Sequence, residues 1–277
     1  MVCDGKTIAM PGQRLRGFPA IRAYPVAERH GFVRVWPGDA ALADAAAIPA
    51  CAWADSPDWA CGGGLLHIGC DYRLMVDNLM DLSHETCVHA SSIGQKEIDE
   101  TPTTTKTVGD AVSTSRFMDN IEPPPFWKMA LRGNHLPDDR PVDRWQICHF
   151  EPPSHALIEL GVALAGHGRY HADAKVKASS IVVDFITPES DTAIWYFWDM
   201  ARNFNARDKA LTASIRDGQA KIFSEDLALL ERQQRNLLAW PERSLLKLNI
   251  DAGGVQARRV LERLMAAEQR LLPQAPA

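Results

Sequence analysis

The chain has 277 residues, 46% of them hydrophobic and 23% charged, with a formal net charge of −5, enough for one large domain or a domain plus a fragment of another. With no Lys/Arg block and a negative balance, it offers neither the basic patch of a nucleic-acid binder nor that of an anionic-membrane binder. No apolar run reaches the roughly 18 residues of a bilayer span, and Met1–Lys6 has no secretion-leader pattern, so a cytoplasmic protein is expected.

Residues 1–38 read as short strands and turns: a turn at Asp4-Gly5-Lys6, a strand Thr7–Met10, a break at Pro11-Gly12, then strands Arg22–Val26 and Gly31–Trp36 closed by Pro37-Gly38. Phe32, Arg34 and Trp36 alternate with Val33 and Val35, as in a strand buried on at least one side. The region is too short for its own core and reads as the tail of a small β domain. From 39 to 64 the chain is loop-like, ending in Gly62-Gly63-Gly64, and a strand is expected over Leu65–Cys70. Tyr72 to about Val88 reads as helix, with Met75, Leu79 and Leu82 on one side. Strand pairs follow at 104–118 and 143–164, and a hairpin over Ser179–Pro188 and Ala193–Asn203. The insert from Pro123 to Pro141 is too proline-rich for regular structure, and helices are expected at 210–239 and 253–271, the second ending in a frayed tail. Strands in runs with one early and two late helices suit an antiparallel α+β domain. Cys3, Cys51, Cys61, Cys70, Cys87 and Cys148 form no C-x-x-C pair and read as plain thiols.

The chemistry concentrates in Asn78-Leu79-Met80-Asp81-Leu82-Ser83-His84-Glu85-Thr86-Cys87-Val88-His89. Two histidines five apart lie roughly 140° apart on a regular helix, so they reach one metal only if the helix distorts or ends between them. Asn78, Asp81 and His84 align at i, i+3 and i+6, and a carboxylate beside an imidazole fixes its tautomer and raises its basicity. Alone, the pair is weak evidence and reads more readily as hydrogen-bonded surface or core histidines. On the late helix, Asp226 borders the apolar side made by Phe223, Leu227 and Leu230. An acid there is costly unless a cation offsets its desolvation; a half-exposed Asp at the stripe's edge is the plainer alternative. Two imidazoles and a carboxylate leave half of an octahedral iron open, and zinc takes similar ligands.

The strings Asp71-Tyr72-Arg73-Leu74-Met75 through His89-Ala90-Ser91-Ser92-Ile93-Gly94-Gln95-Lys96-Glu97, Val142–Ile147, Val183–Asp191 and Ser244–Gly254 closely resemble the oxygenase components of the vanillate O-demethylase family, a group of Rieske non-heme iron oxygenases that includes dicamba-type demethylases. The likeness covers almost the whole chain. It implies a helix-grip (START/Bet v 1-like) catalytic domain at 41–277, an antiparallel sheet around long helices, preceded at 1–40 by the C-terminal remnant of a Rieske [2Fe–2S] domain. It implies His84, His89 and Asp226 as ligands of a mononuclear Fe(II), Asp81 as the link to a Rieske cluster in the neighbouring subunit of a homotrimer, and Asn78 close to the metal. The implied reaction takes O2 and electrons from NADH, through a flavin and iron–sulfur reductase, and oxidises the methoxy carbon of vanillate to a hemiacetal that collapses to protocatechuate and formaldehyde.

One departure is large. The family's cluster needs Cys-x-His and Cys-x-x-His; here Cys87-Val88-His89 lies inside the iron motif and no Cys-x-x-His occurs. The start is therefore expected to be too late or the gene truncated, and the chain alone to be inactive. Alternatives are another methoxy-aromatic monooxygenase, a non-catalytic module binding an aromatic acid, and a zinc hydrolase. His30, His67, His135, His149, His155, His167 and His171 lack ligand spacing and are expected to be structural or surface groups. Trp195, Tyr196, Phe197 and Trp198 are expected to alternate between core and cavity, and Arg202 and Asn203 are candidates to meet a carboxylate.

Overall fold

The computed structural model describes residues 2–3, 6–7, 12 and 22–271 and divides the chain into two units, Met1–Ser56 and Pro57–Ala277. In the first, β1 (Val2–Cys3) pairs with β2 (Lys6–Thr7), and β3 (Val26–Arg29) pairs antiparallel with β4 (Phe32–Val35). Strand β3 thus starts where the expected Arg22–Val26 strand ends. Phe32 and Arg34 are half-buried while Val33 and Val35 are exposed. The Asp4-Gly5 turn, most of the expected Thr7–Met10 strand and the tail after Leu271 lie outside the described residues.

The second unit is built on a seven-stranded antiparallel sheet, ordered β5-β11-β10-β9-β8-β7-β6. Its strands are β5 (Ala60–Ile68), β6 (Thr104–Val108), β7 (Ala111–Ile121), β8 (Val142–Glu151), β9 (His155–Leu164), β10 (Lys177–Ser190) and β11 (Ala193–Arg202). Helices α1 (Tyr72–Met80), α2 (Glu85–Val88), α3 (Glu97–Glu100), α4 (Pro125–Gly133), α5 (Lys209–Ala239) and α6 (Ala252–Leu271) complete it. This is the antiparallel α+β arrangement expected from the order of elements, in the helix-grip form that the family resemblance implies. Successive strand residues face opposite sides, and the register places Met200, Val182, Ile158, Cys148 and Thr114 in one cross-strand row. That row and its neighbours form the helix-facing side, where Tyr196 and Trp198 meet Phe223 of α5 at ring-centroid distances of 5.1 and 5.3 Å. Burying a side chain such as Phe223 or Leu230 contributes about 1.5–3 kcal/mol.

Three expectations need correction. Gly62-Gly63-Gly64 is not the end of a loop but the middle of β5. A Cβ on Gly63 would lie 2.1 Å from the Trp198 carbonyl oxygen, and one on Gly64 3.0 Å from the Trp198 indole, so the close approach of β11 requires glycine. The proline-rich insert contains α4, because Pro125 sits in its first turn, where a missing N–H is harmless, and Phe126, Trp127, Ala130 and Leu131 are buried. The early helix does not run to Val88: α1 stops at Met80, and Asp81 is extended at φ −90°, ψ 110°.

Two ties hold α1 against the late helices. Glu231 and Gln234 of α5 accept from the backbone N–H groups of Gly69 and Asp71 at 3.2 and 2.8 Å. Arg258 of α6 grips Asp77 through Nε–Oδ1 and Nη2–Oδ2 contacts of 2.8 and 2.5 Å. No disulfide joins Cys51, Cys61, Cys70, Cys87 or Cys148, and no described helix is long and apolar enough to cross a membrane.

Candidate metal centre

After α1 stops, the Asp81 carboxylate accepts from the backbone N–H and the hydroxyl of Ser83 at 2.7 and 2.6 Å, a local turn that competes with continued helix. The chain then makes the single turn α2, with His84 at its N-terminal cap and His89 at its C-terminal cap. The break thus precedes both histidines instead of falling between them, and their rings meet edge-on at 5.1 Å.

Asp226 lies opposite them on α5 and is only 3% exposed, not the half-exposed acid of the plainer reading. Its Oδ1 is 3.4 Å from His84 Nε2 and 3.2 Å from His89 Nε2, and ligand-type atoms of the three residues all lie within 4.8 Å of one another. Asn78 Nδ2 donates to the same Oδ1 at 3.1 Å. Sequence-expected His84, His89, Asp226, Asn78 and Asp81 therefore come together.

The other ring nitrogens are engaged. His84 Nδ1 lies 2.8 Å from the Asp81 carbonyl oxygen, and His89 Nδ1 lies 2.8 Å from Glu225 Oε2. Both partners only accept, so each Nδ1 carries the proton and each neutral Nε2 would aim a lone pair at the Asp226 carboxylate. That arrangement is repulsive unless a metal cation, or a proton on the Nε2 atoms, sits between them, and the donor set fits iron(II) and zinc alike. The proton affinities record the same field. Burial pushes the Asp226 carboxyl up, but hydrogen bonds with His84 and His89 outweigh it and hold it at about 2. Burial pushes His84 down, but Asp226 and Asp81 raise it to about 10.

A cavity partly open to solvent adjoins the three residues; its apolar walls include Ile93, Trp127, Ile158, Leu160, Val182 and Ile222. None of Trp195, Tyr196, Phe197 and Trp198 is among the lining residues, which corrects the expected core-and-cavity alternation: Tyr196 and Trp198 are core, and Trp195 is 38% exposed. Arg202 is spent on the carbonyls of Asn205 and Asp208 at 2.7 and 2.9 Å. His30 pairs with Asp55, His67 with Glu189 and His149 with Glu159, in keeping with structural roles.

Sequence reasoning missed Glu225, whose signal was its place beside Asp226, and the buried group Glu85–Arg144–Gln146. Arg144 Nη2 donates to Glu85 Oε2 at 3.0 Å and Gln146 Nε2 donates to Glu85 Oε1; all three side chains line the cavity. It also missed Asp184, fully buried and accepting from the Tyr196 hydroxyl at 2.5 Å.

A family model described as the vanillate O-demethylase oxygenase C-terminal domain matches residues 68–267. A vanillate O-demethylase oxygenase subunit from Pseudomonas sp. (strain ATCC 19151) is 70% identical over 269 residues, covering 97% of this chain and 82% of the relative. A crystal structure of dicamba monooxygenase bound to 3,6-dichlorosalicylic acid superposes with a TM-score of 0.86 at 27% identity, over 96% of this chain and 77% of the other. Another, holding non-heme iron and dicamba, gives a TM-score of 0.78 at 26% identity, over 97% and 76%.

Proposed function

The chain belongs to the vanillate O-demethylase oxygenase family, and from that premise we propose that it is the oxygenase component converting vanillate, O2 and two NADH-derived electrons to protocatechuate, formaldehyde and water. The observation carrying this reading is the convergence of His84, His89 and Asp226 beside a largely apolar cavity. We take the metal to be mononuclear Fe(II), as in the dicamba monooxygenase structure of the same fold. Iron bound there supplies dioxygen activation and oxidation of the methoxy carbon.

The chain's own residues do the remaining work. His84 and His89 present Nε2 because Nδ1 is engaged by Asp81 and Glu225. Asn78 orients Asp226 through its amide. The apolar walls hold the aromatic ring and exclude bulk water, which strengthens electrostatic contacts inside.

We further propose that Asp81 links this centre to a [2Fe–2S] Rieske cluster in the neighbouring subunit of a homotrimer, fed by a separate flavin and iron–sulfur reductase. Support comes from a second depression that Asn78, Asp81 and His84 also line, bordered by the exposed Leu245 and Leu246. On this reading residues 1–40 are the C-terminal remnant of the Rieske domain and 41–277 the catalytic domain.

Hydrogen peroxide supplies both the oxygen and the two electrons, so it tests the chemistry without the cluster or the reductase. The iron-loaded chain given vanillate and peroxide is expected to release protocatechuate and formaldehyde one to one. Iron-loaded chain that binds vanillate yet forms neither product contradicts the assignment.

A further inference from the structure

We propose that Gln146 selects substrates carrying a ring hydroxyl, accepting a hydrogen bond from that hydroxyl at its amide oxygen Oε1. The proposal rests on the reading of the cavity as the site of a methoxylated aromatic acid.

Gln146 is 6% exposed and lies on the helix-facing side of β8, in the cross-strand row that joins it to Leu160, another lining residue. Its amide orientation is fixed by chemistry. The neighbouring Glu85 is held by the permanently cationic Arg144, so it is a carboxylate and can only accept. The nitrogen of Gln146 must therefore face Glu85, as it does. The oxygen is then left over: Oε1 is buried and has no hydrogen-bond partner. Such orphan acceptors are uncommon, because an unmet acceptor keeps its full desolvation penalty.

This one belongs to a residue on the cavity wall, held by Glu85, which directly follows His84 in the chain. A bound donor would satisfy it. Among the polar groups of a methoxylated hydroxybenzoate, only the hydroxyl donates; the carboxylate would set acceptor against acceptor, close to the charge of Glu85. The Nη atoms of Arg144 are committed to Ile93 O, Gln95 Oε1 and Glu85. Its Nε also lacks a partner, so the rival recognition is of the ligand's carboxylate by Arg144.

Equilibrium binding to the iron-loaded full chain under anaerobic conditions separates the two, using vanillate and 3-methoxybenzoate, which differ only in the hydroxyl. Wild type is expected to bind vanillate roughly tenfold more tightly, and Gln146→Met to bring that ratio to about one while leaving the 3-methoxybenzoate affinity within about threefold. The ultraviolet spectrum of bound vanillate, which needs no variant, is expected to be that of the neutral phenol. A wild-type ratio near one, or a bound phenolate, overturns the Gln146 assignment alone. Failure of both ligands to bind overturns the aromatic-acid reading and this inference with it.

Discussion

Nδ1 of His89 lies 2.8 Å from Oε2 of Glu225, the residue directly before Asp226. One turn of α5 thus supplies both the carboxylate that faces His89 Nε2 and the carboxylate that holds the ring by its other nitrogen. Removing such an outer partner weakens metal binding by roughly 10–100-fold. Glu225→Ala is expected to do so in an anaerobic iron titration, with thermal unfolding of the metal-free chain little changed; unaltered iron affinity would show that the ring needs no such anchor.

Asp81 has a separable role. Asp81→Asn is expected to retain iron and peroxide-driven formaldehyde release, while NADH-driven turnover in the complete system with cluster and reductase falls roughly 10–100-fold. Equal losses in both assays would assign Asp81 to the iron site itself.

The ion pair between Glu85 and Arg144 is buried on both sides. Removing one partner strands a charge, so Arg144→Leu is expected to cost about 3–5 kcal/mol, read by chemical denaturation. Adding Glu85→Leu should recover a substantial part of that loss; a double variant as unstable as the single would mean that packing, not charge, sets the cost.

Burial raises the Asp184 carboxyl to about 7 from 3.8, despite the hydroxyl of Tyr196. The native state then holds a proton that the unfolded chain releases, so this group's contribution is full below about pH 4, is lost as pH rises through about 7, and is constant above. Over that window the decline is on the order of a few kcal/mol. Asp184→Asn is expected to flatten the curve and to be more stable than wild type at pH 8; an unchanged pH dependence would place the titration elsewhere.

The centre was legible through the family resemblance, while its residues alone gave only hints. Asp226 is an acid at the edge of an apolar helix stripe, and two histidines five apart make sense together only off a regular helix. The sequence put the needed break between the two histidines; only the structure shows the Asp81 carboxylate capping Ser83 and ending α1 before both. The strand through Gly62-Gly63-Gly64 was hidden because its reason lies across the sheet, in Trp198. Helix α4 was masked by prolines that border it without interrupting it. Gln146 escaped notice for a related reason: β8 mixes apolar and polar residues on both faces, Val142, Arg144, Gln146, Cys148 and Phe150 on one and Asp143, Trp145, Ile147, His149 and Glu151 on the other, so periodicity could not say which side met the cavity.

Anaerobic titration of the chain with ferrous iron, with bound metal counted, bears most directly on the whole account. One iron per chain is expected, with binding lost in His84→Ala, His89→Ala and Asp226→Ala alike. A wild-type chain that takes up no iron, or variants that still fill at one per chain, would contradict it.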